Sequence, residues 1–210
     1  MIKKVGFIGL GVMGYNIAKH LVKHVEQLNI VTRNSKKTLS FISKFKNNRK
    51  IKIYNSLEDF TKNSNIIISC VGNDKDLRDI FLSKNGILSH ISKNTFIIDH
   101  TTASAEITKD LYKKFLQKKC FFYDAPVSGG EVGAINGTLS IMVGGNKNKI
   151  NLVKNISNNY AKSVIYMGKS GNGQLSKMVN QICVASVIQG VAEGLFFAKK
   201  KKSKPCFGEV

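Results

Sequence analysis

The sequence predicts an α/β fold: a doubly wound, mainly parallel sheet followed by one long helix. Three observations lead there. A glycine fingerprint, Gly9-Leu10-Gly11-Val12-Met13-Gly14, stands between a buried strand pattern and a helix pattern. Short apolar runs then alternate with helical periodicity as far as residue 167. From Gln174 to Lys199 the pattern changes to a single helix, apolar around much of its circumference.

The elements follow in order. Lys3–Phe7 predicts the first strand, and Ile17, Ala18 and Leu21 give the next helix one apolar face. Between them, Gly9 permits a tight turn, Gly11 lets a pyrophosphate approach the backbone, and Gly14 lets the helix pack close to the strand. Leu10, Val12 and Met13 complete this candidate cofactor loop. Free N–H groups at the helix start would face phosphate. The plain alternative is a glycine-rich turn with no ligand.

Asn29–Thr32 predicts the second strand, and Arg33-Asn34-Ser35-Lys36-Lys37 follows it. A position about 20 residues after the glycines reads the adenosine ribose of a dinucleotide. An acid there suits NAD. This chain carries Arg33, then Asn34, with Lys36 and Lys37 close behind and no acid. A guanidinium grips a 2′-phosphate in a bidentate manner. The expected cofactor is therefore NADP, with NAD as the alternative. The plain reading of Arg33 is a surface loop.

Thr38–Phe45 predicts a helix and Ile51–Tyr54 a short strand, with Ser56 or Thr61 as the cap of the next helix. Asn65–Cys70 reads as a fully buried strand ending in Val71-Gly72-Asn73-Asp74. Ligands bind at such carboxyl ends in open α/β sheets, which makes Val71 and Gly72 cofactor candidates. Asp76–Leu82 predicts a helix. Thr95–Asp99 is another buried strand, running into His100-Thr101-Thr102, and Ser104 caps a helix from Ala105 to Lys118. Cys120–Tyr123 is a further strand, followed by Asp124-Ala125-Pro126-Val127-Ser128-Gly129-Gly130. Glu131–Asn136 predicts a helical turn, Gly137–Val143 a strand, Lys147–Asn155 a helix and Ser163–Met167 the last strand.

On the long helix, Lys177, Asn180 and Gln181 lie at i, i+3 and i+4 and share one face. A lysine and two amides on an otherwise apolar helix call for a reason; the plain one is a satisfied polar patch. The same residues, with Gln189 and Glu193, interrupt the helix and argue against a membrane span, and no run reads as long and apolar enough for one. The apolar circumference predicts burial on several sides.

Bulk properties narrow the class. The 210 residues carry 33 basic against 13 acidic side chains, a formal charge of +20. The lysines are spread along the whole chain, which reads as a solvated surface with a secondary pull on anionic ligands. No RNA-binding aromatic signature or zinc-finger spacing accompanies them, so no specific nucleic acid partner is expected. Cys70, Cys120, Cys183 and Cys206 form no C-x-x-C pair, and His20, His24, His90 and His100 are scattered, so no metal site is expected. This cysteine usage fits a reducing cytoplasm.

Four separated segments make the chain resemble the β-hydroxyacid dehydrogenases. That group includes 3-hydroxyisobutyrate dehydrogenase, tartronate semialdehyde reductase and, more distantly, 6-phosphogluconate dehydrogenase. The segments are Phe7–Gly14, Asp99–Thr102, Asp124–Gly130 and Gly171–Gln181. The resemblance implies a Rossmann-type NAD(P)-binding domain over residues 1–168 and the first long helix of an all-helical C-terminal domain over 169–210. It implies hydride transfer between a nicotinamide cofactor and a short β-hydroxyacid or its semialdehyde. Lys177 would be the general acid/base, and Asn180 would orient the substrate, with Gln181 as a helper. Ser128, Gly129 and Gly130 would bind the substrate carboxylate, and Thr102 would stand beside the nicotinamide. Asp124 is expected to be a structural hydrogen-bonding residue.

Members of that family continue well past residue 210, into a helical domain that closes the site and builds a dimer. The segment from Lys199 to Val210 does not match them. The expectation is a truncated chain whose long helix exposes apolar faces, with homo-oligomers for the full-length form. Two other readings stay open: a non-catalytic NADP-binding or interaction module, and a tartronate semialdehyde or glyoxylate reductase.

Overall fold

The apolar runs become the strands of one sheet in the computed structural model, which describes residues 2–31, 35–45 and 48–201. The strands are β1 (Ile2–Ile8), β2 (Val25–Val31), β3 (Ile51–Ile53), β4 (Ile66–Ser69), β5 (Phe96–Asp99), β6 (Phe121–Asp124), β7 (Val127–Ser128), β8 (Leu139–Gly144) and β9 (Ala161–Gly168). The helices are α1 (Val12–Leu21), α2 (Ser35–Lys44), α3 (Leu57–Lys62), α4 (Asp74–Leu82), α5 (Ile87–His90), α6 (Ala105–Gln117), α7 (Gly130–Asn136), α8 (Ile150–Ser157) and α9 (Asn172–Lys200).

Strand order is β3-β2-β1-β4-β5-β6-β8-β7, with β9 added on β8. The pairs from β3 to β6 are all parallel, and β8 runs antiparallel to β6 and β7. Strand alternation divides the core between the two faces of the sheet. Phe7, Ile30, Ile68 and Ile98 meet Ile17 and Leu21 of α1 and Phe41 of α2 on one side. Ile67, Ile97 and Phe122 meet Phe60 of α3, Leu77 and Phe81 of α4, and Leu111 and Phe115 of α6 on the other. Both faces are covered, as a doubly wound sheet requires. The order reverses at β1, whose neighbours are β2 and β4, so a crevice opens where the glycine loop faces Cys70 and Val71.

Several boundaries differ from the sequence reading. Strand β2 begins at Val25, four residues before the expected Asn29, because Val25 and Leu28 are buried while Glu26 faces out. Helix α4 begins at Asp74, because the Asn73 side chain accepts the N–H of Asp76 at 3.1 Å and caps it there. Ser56 is the cap of α3 and accepts the Asp59 N–H at 3.1 Å; Thr61 lies inside that helix. Ser104 caps α6 as expected. Short α5 was not foreseen.

The long helix brings two corrections. Among the described residues only its Gly173, Gln174 and Ala198 are buried, so it is not enclosed on several sides. Val179, Ile182, Val187 and Ile188 are 61–67% exposed, because its contacts are made by its first turns, against β8, β9, β6 and α6. By length and composition α9 is also long and apolar enough to cross a membrane, with an 18-residue stretch of mean hydropathy 1.5. Of the interrupting residues, Lys177, Asn180 and Gln181 cluster near one end, and only Gln189 and Glu193 break the run behind them before Lys199.

Candidate active site

Two clefts meet at the carboxyl ends of the parallel strands. The first, about 700 Å³, runs along the glycine loop and is lined by Gly9, Leu10, Gly11, Val12, Met13, Gly14, Val71 and Gly72. The second, about 570 Å³, shares Met13, Cys70, Val71 and Gly72 with it and extends to Thr102, Ser128, Gly129, Gly130, Lys177, Asn180 and Gln181. Every expected site residue within the described set therefore borders one of two neighbouring clefts that share part of their walls. Arg33 and Asn34 lie outside the described residues.

The loop geometry fits a dinucleotide. Gly9 has φ of 93°, and a Cβ there would stand 2.2 Å from the Cys70 carbonyl oxygen. Only glycine tolerates both the left-handed backbone and that approach. A Cβ on Gly14 would lie 2.0 Å from the Gly9 carbonyl oxygen, so that glycine seals helix against strand. A Cβ on Gly11 would meet no atom within 4 Å and would project into the open cleft. Gly11 thus leaves room for a ligand where Gly9 and Gly14 leave room for the protein itself. Helix α1 has no side-chain cap at its start, and no acid sits in its first turn. The N–H groups of Val12 and Met13 there suit a pyrophosphate.

The loops after β4 and β5 are tied together by a buried carboxyl. Asp99 Oδ1 accepts from Ser69 Oγ at 2.8 Å, Thr101 Oγ1 at 2.6 Å and the Thr101 N–H at 3.1 Å. Thr101 Oγ1 in turn accepts the Val71 N–H at 3.1 Å. Asp99 Oδ2 is buried with no partner, and burial pushes the Asp99 pKa up to about 7. Each orphan of this kind is costly unless the group holds a proton.

His100 forms the rear wall of the second cleft and is 2% exposed. A carbonyl oxygen cannot donate, so the 2.6 Å contact with Ala125 O puts the proton on Nδ1. Neutral Nε2 then accepts from Tyr160 Oη at 2.9 Å, and Ser157 Oγ donates to Tyr160 at 3.2 Å. Burial drives the His100 pKa down to about 4 and keeps this ring neutral. The chain of bonds holds Ala125 three residues ahead of Ser128, which pairs with Ser140 of β8. Gly129 and Gly130 follow with φ of 128° and 61°, exposing their backbone to the cleft.

Helix α9 enters from the other side. Asp124 accepts the N–H groups of Gly171 at 2.8 Å and Gln174 at 3.1 Å, the structural role expected of it. Buried Gln174 donates to Thr101 O at 2.7 Å and accepts the Ala103 N–H at 3.1 Å. These bonds set the helix so that Lys177 and Asn180 face the cleft, where Asn180 Nδ2 donates to Ser128 Oγ at 3.4 Å. Burial lowers the Lys177 pKa. Among the described residues no carboxylate pairs with Lys177 and no group of His, Cys, Asp and Glu could hold a metal ion.

Sequence reasoning passed over His100, Thr101 and Gln174. The Asp99–Thr102 and Gly171–Gln181 segments contain all three, but only the fold reveals that they tie the loops around the cleft together. It also passed over Asn55, Leu57, Asp79 and Ile80, which border the far end of the first cleft. They come from two separate segments, the start of α3 and the middle of α4, and leave no local signature.

Comparison with known proteins agrees with this geometry. The NAD binding domain of 6-phosphogluconate dehydrogenase matches residues 4–168. An uncharacterised oxidoreductase of Shewanella frigidimarina is 40% identical over 93% of this chain and 66% of its own length. The 2-hydroxy-3-oxopropionate reductase of Escherichia coli is 34% identical over 96% of this chain and 67% of its own length. In fold, the chain is similar to a Mycobacterium tuberculosis 3-hydroxyisobutyrate dehydrogenase solved with L-serine, with a TM-score of 0.89 at 22% identity, over 98% of this chain and 68% of that one. The chain spans about two thirds of the length of these relatives. With its glycine cradle, its switch-point crevice and these matches, the chain belongs to the 6-phosphogluconate dehydrogenase NAD-binding family, alongside relatives named 3-hydroxyisobutyrate dehydrogenase and 2-hydroxy-3-oxopropionate reductase.

Proposed function

We propose that this chain carries the nucleotide-binding and catalytic half of an NAD(P)-dependent oxidoreductase acting on a short β-hydroxyacid or its semialdehyde. Residues 1–168 are the nucleotide-binding unit, and α9 begins a second, helical unit. The observation that carries the reading is the wall of Met13, Cys70, Val71 and Gly72 that the glycine cradle's cleft shares with the cleft of Lys177 and Asn180. A nicotinamide dinucleotide held by Gly9–Gly14, Val71, Gly72 and Thr102 supplies the hydride acceptor or donor. Arg33 favours the phosphorylated form, NADP.

The chain's own residues divide the remaining work. Ser128 and the exposed backbone of Gly129 and Gly130 bind the substrate carboxylate. Asn180, already within reach of Ser128, fixes the hydroxyl-bearing carbon, and Gln181 adds a second amide from the same helix face. Lys177 takes the hydroxyl proton on oxidation and returns it on reduction. A lysine whose pKa is lowered by burial is suited to that exchange. The Val71–Asp74 and Asp99–Thr102 segments resemble the 3-hydroxyisobutyrate branch, and the Lys177–Gln181 segment also resembles the tartronate semialdehyde branch, so a 3-hydroxyisobutyrate type of substrate is the first to test and a tartronate semialdehyde type the alternative.

The test is a nicotinamide fluorescence titration with NADPH and NADH, followed by turnover on a hydroxyacid panel. Lys177→Ala should abolish hydride transfer while NADPH binding survives; unchanged turnover would remove Lys177 from the mechanism. The open apolar side of α9 favours a second reading, a nucleotide-binding module whose helix docks a partner. Nucleotide binding with no turnover on any hydroxyacid, together with concentration-dependent association, would support that reading instead.

A further inference from the structure

We propose that Asp79 reads the base of the dinucleotide. Its carboxylate accepts the exocyclic amine of adenine, so the cleft takes adenine dinucleotides over their 6-oxopurine counterparts. The inference rests on the dinucleotide reading given above and goes beyond it to the choice of base.

The direction of the ligand follows from how the clefts connect. The first cleft meets the Lys177 cleft at Met13, Cys70, Val71 and Gly72, so the reacting ring belongs at that end. The base must then occupy the opposite end. That end is built by Val31, the last residue of β2, by Asn55 and Leu57 around the start of α3, and by Asp79 and Ile80 of α4. Val31, Leu57 and Ile80 supply apolar surface for the ring faces. Asn55 and Asp79 are the polar side chains there. Among the described residues no cation pairs with Asp79, whereas its neighbour Arg78 turns towards Asp110.

The two polar groups differ in what they can recognise. An ionised carboxylate only accepts hydrogen bonds. Adenine offers an amine at C6, which donates; hypoxanthine and guanine offer a carbonyl there, which only accepts. Placing that carbonyl against Asp79 leaves two acceptors facing each other and forfeits a hydrogen bond to a charged group. Asn55 cannot discriminate in this way, because a carboxamide turns either its oxygen or its NH2 outward.

The experiment is a fluorescence titration of the 210-residue chain with NADPH and with reduced nicotinamide hypoxanthine dinucleotide phosphate. Both the unaltered protein and Asp79→Asn are titrated. Asp79 is exposed on α4, so the variant should keep the fold, and far-ultraviolet circular dichroism checks this. The unaltered protein should bind NADPH about tenfold more tightly than the hypoxanthine form, and Asp79→Asn should bind the two alike, to within about twofold. Equal binding by the unaltered protein overturns the proposal, as does a preference that persists in the variant. If neither nucleotide binds the unaltered protein, the dinucleotide reading itself falls and takes the proposal with it.

Discussion

The Asp124 carboxylate, at the carboxyl end of β6, accepts the backbone N–H of Gln174 at 3.1 Å. Its other oxygen takes the N–H of Gly171 at 2.8 Å, so one buried acid satisfies two donors at the start of α9. The space is tight: a Cβ on Gly173 would lie 2.8 Å from the same carboxylate. This bond pair fixes the angle at which Lys177 and Asn180 enter the cleft. In Asp124→Asn one oxygen becomes an NH2 facing an N–H. That leaves a buried donor without an acceptor and should cost about 1–3 kcal/mol. Urea denaturation reads the loss. An unchanged midpoint would mean that packing and the Gln174 side-chain bonds are enough to hold α9.

The glycines of the fingerprint should separate stability from binding. Gly14→Ala drives a methyl into the Gly9 carbonyl oxygen and should destabilise the fold by roughly 1–3 kcal/mol. Gly11→Ala places its methyl in open space and should leave the melting temperature nearly unchanged. The same methyl stands where a pyrophosphate approaches, so NADPH affinity should fall about tenfold or more. Thermal melts and fluorescence titration on the two variants test the pair. A Gly11→Ala protein that binds as tightly as the unaltered chain would place the phosphates elsewhere.

Much of this site was legible because its chemistry sits in contiguous segments. Gly9–Gly14, Ser128–Gly130 and Lys177–Gln181 each carry a spacing that survives without a structure. What was hidden depends on distant pairings. His100 reads as one of four scattered histidines until Tyr160, 60 residues on, is seen against its ring. Gln174 looks like one more amide until Thr101 and Ala103 accept and supply its bonds. The exposure of α9 was hidden for a different reason. An apolar circumference tells that a helix has affinity for cover, not whether the described chain supplies it.

Asp99 and His100 are adjacent and should give stability opposite slopes with pH. The Asp99 pKa is raised by burial to about 7. The native state therefore binds more protons than the unfolded chain, and the stability is present below the ordinary carboxylate value and lost as pH rises to about 7. The His100 pKa is lowered by burial to about 4. Its stability is present above the ordinary imidazole value of about 6.5 and lost as pH falls towards 4. Between pH 4 and 6.5 the two oppose each other. Compared with the unaltered chain, Asp99→Asn should gain melting temperature as pH rises through that window, and His100→Gln should lose it. Each change should reach several °C, since about 1 kcal/mol moves the midpoint of a chain this size by roughly 2–4 °C. Three parallel profiles would show that neither group changes its protonation on folding.

Lys177 should leave its own signature in the pH dependence of turnover. Oxidation of an alcohol needs the neutral amine, which takes the hydroxyl proton; reduction needs the ammonium, which gives it back. Burial lowers the Lys177 pKa below that of a free lysine, so the neutral form appears at a lower pH. Oxidation should therefore rise as pH passes upward through that pKa, and reduction should fall through the same range. Lys177→Arg keeps the positive charge but cannot lose its proton in this range, so the rising limb of oxidation should vanish while NADPH still binds. Rate profiles in both directions, with cofactor binding measured at each pH, separate this from a loss of affinity. If the rising limb persists in Lys177→Arg, the proton passes through another group, and the role of Lys177 is to hold the substrate by charge.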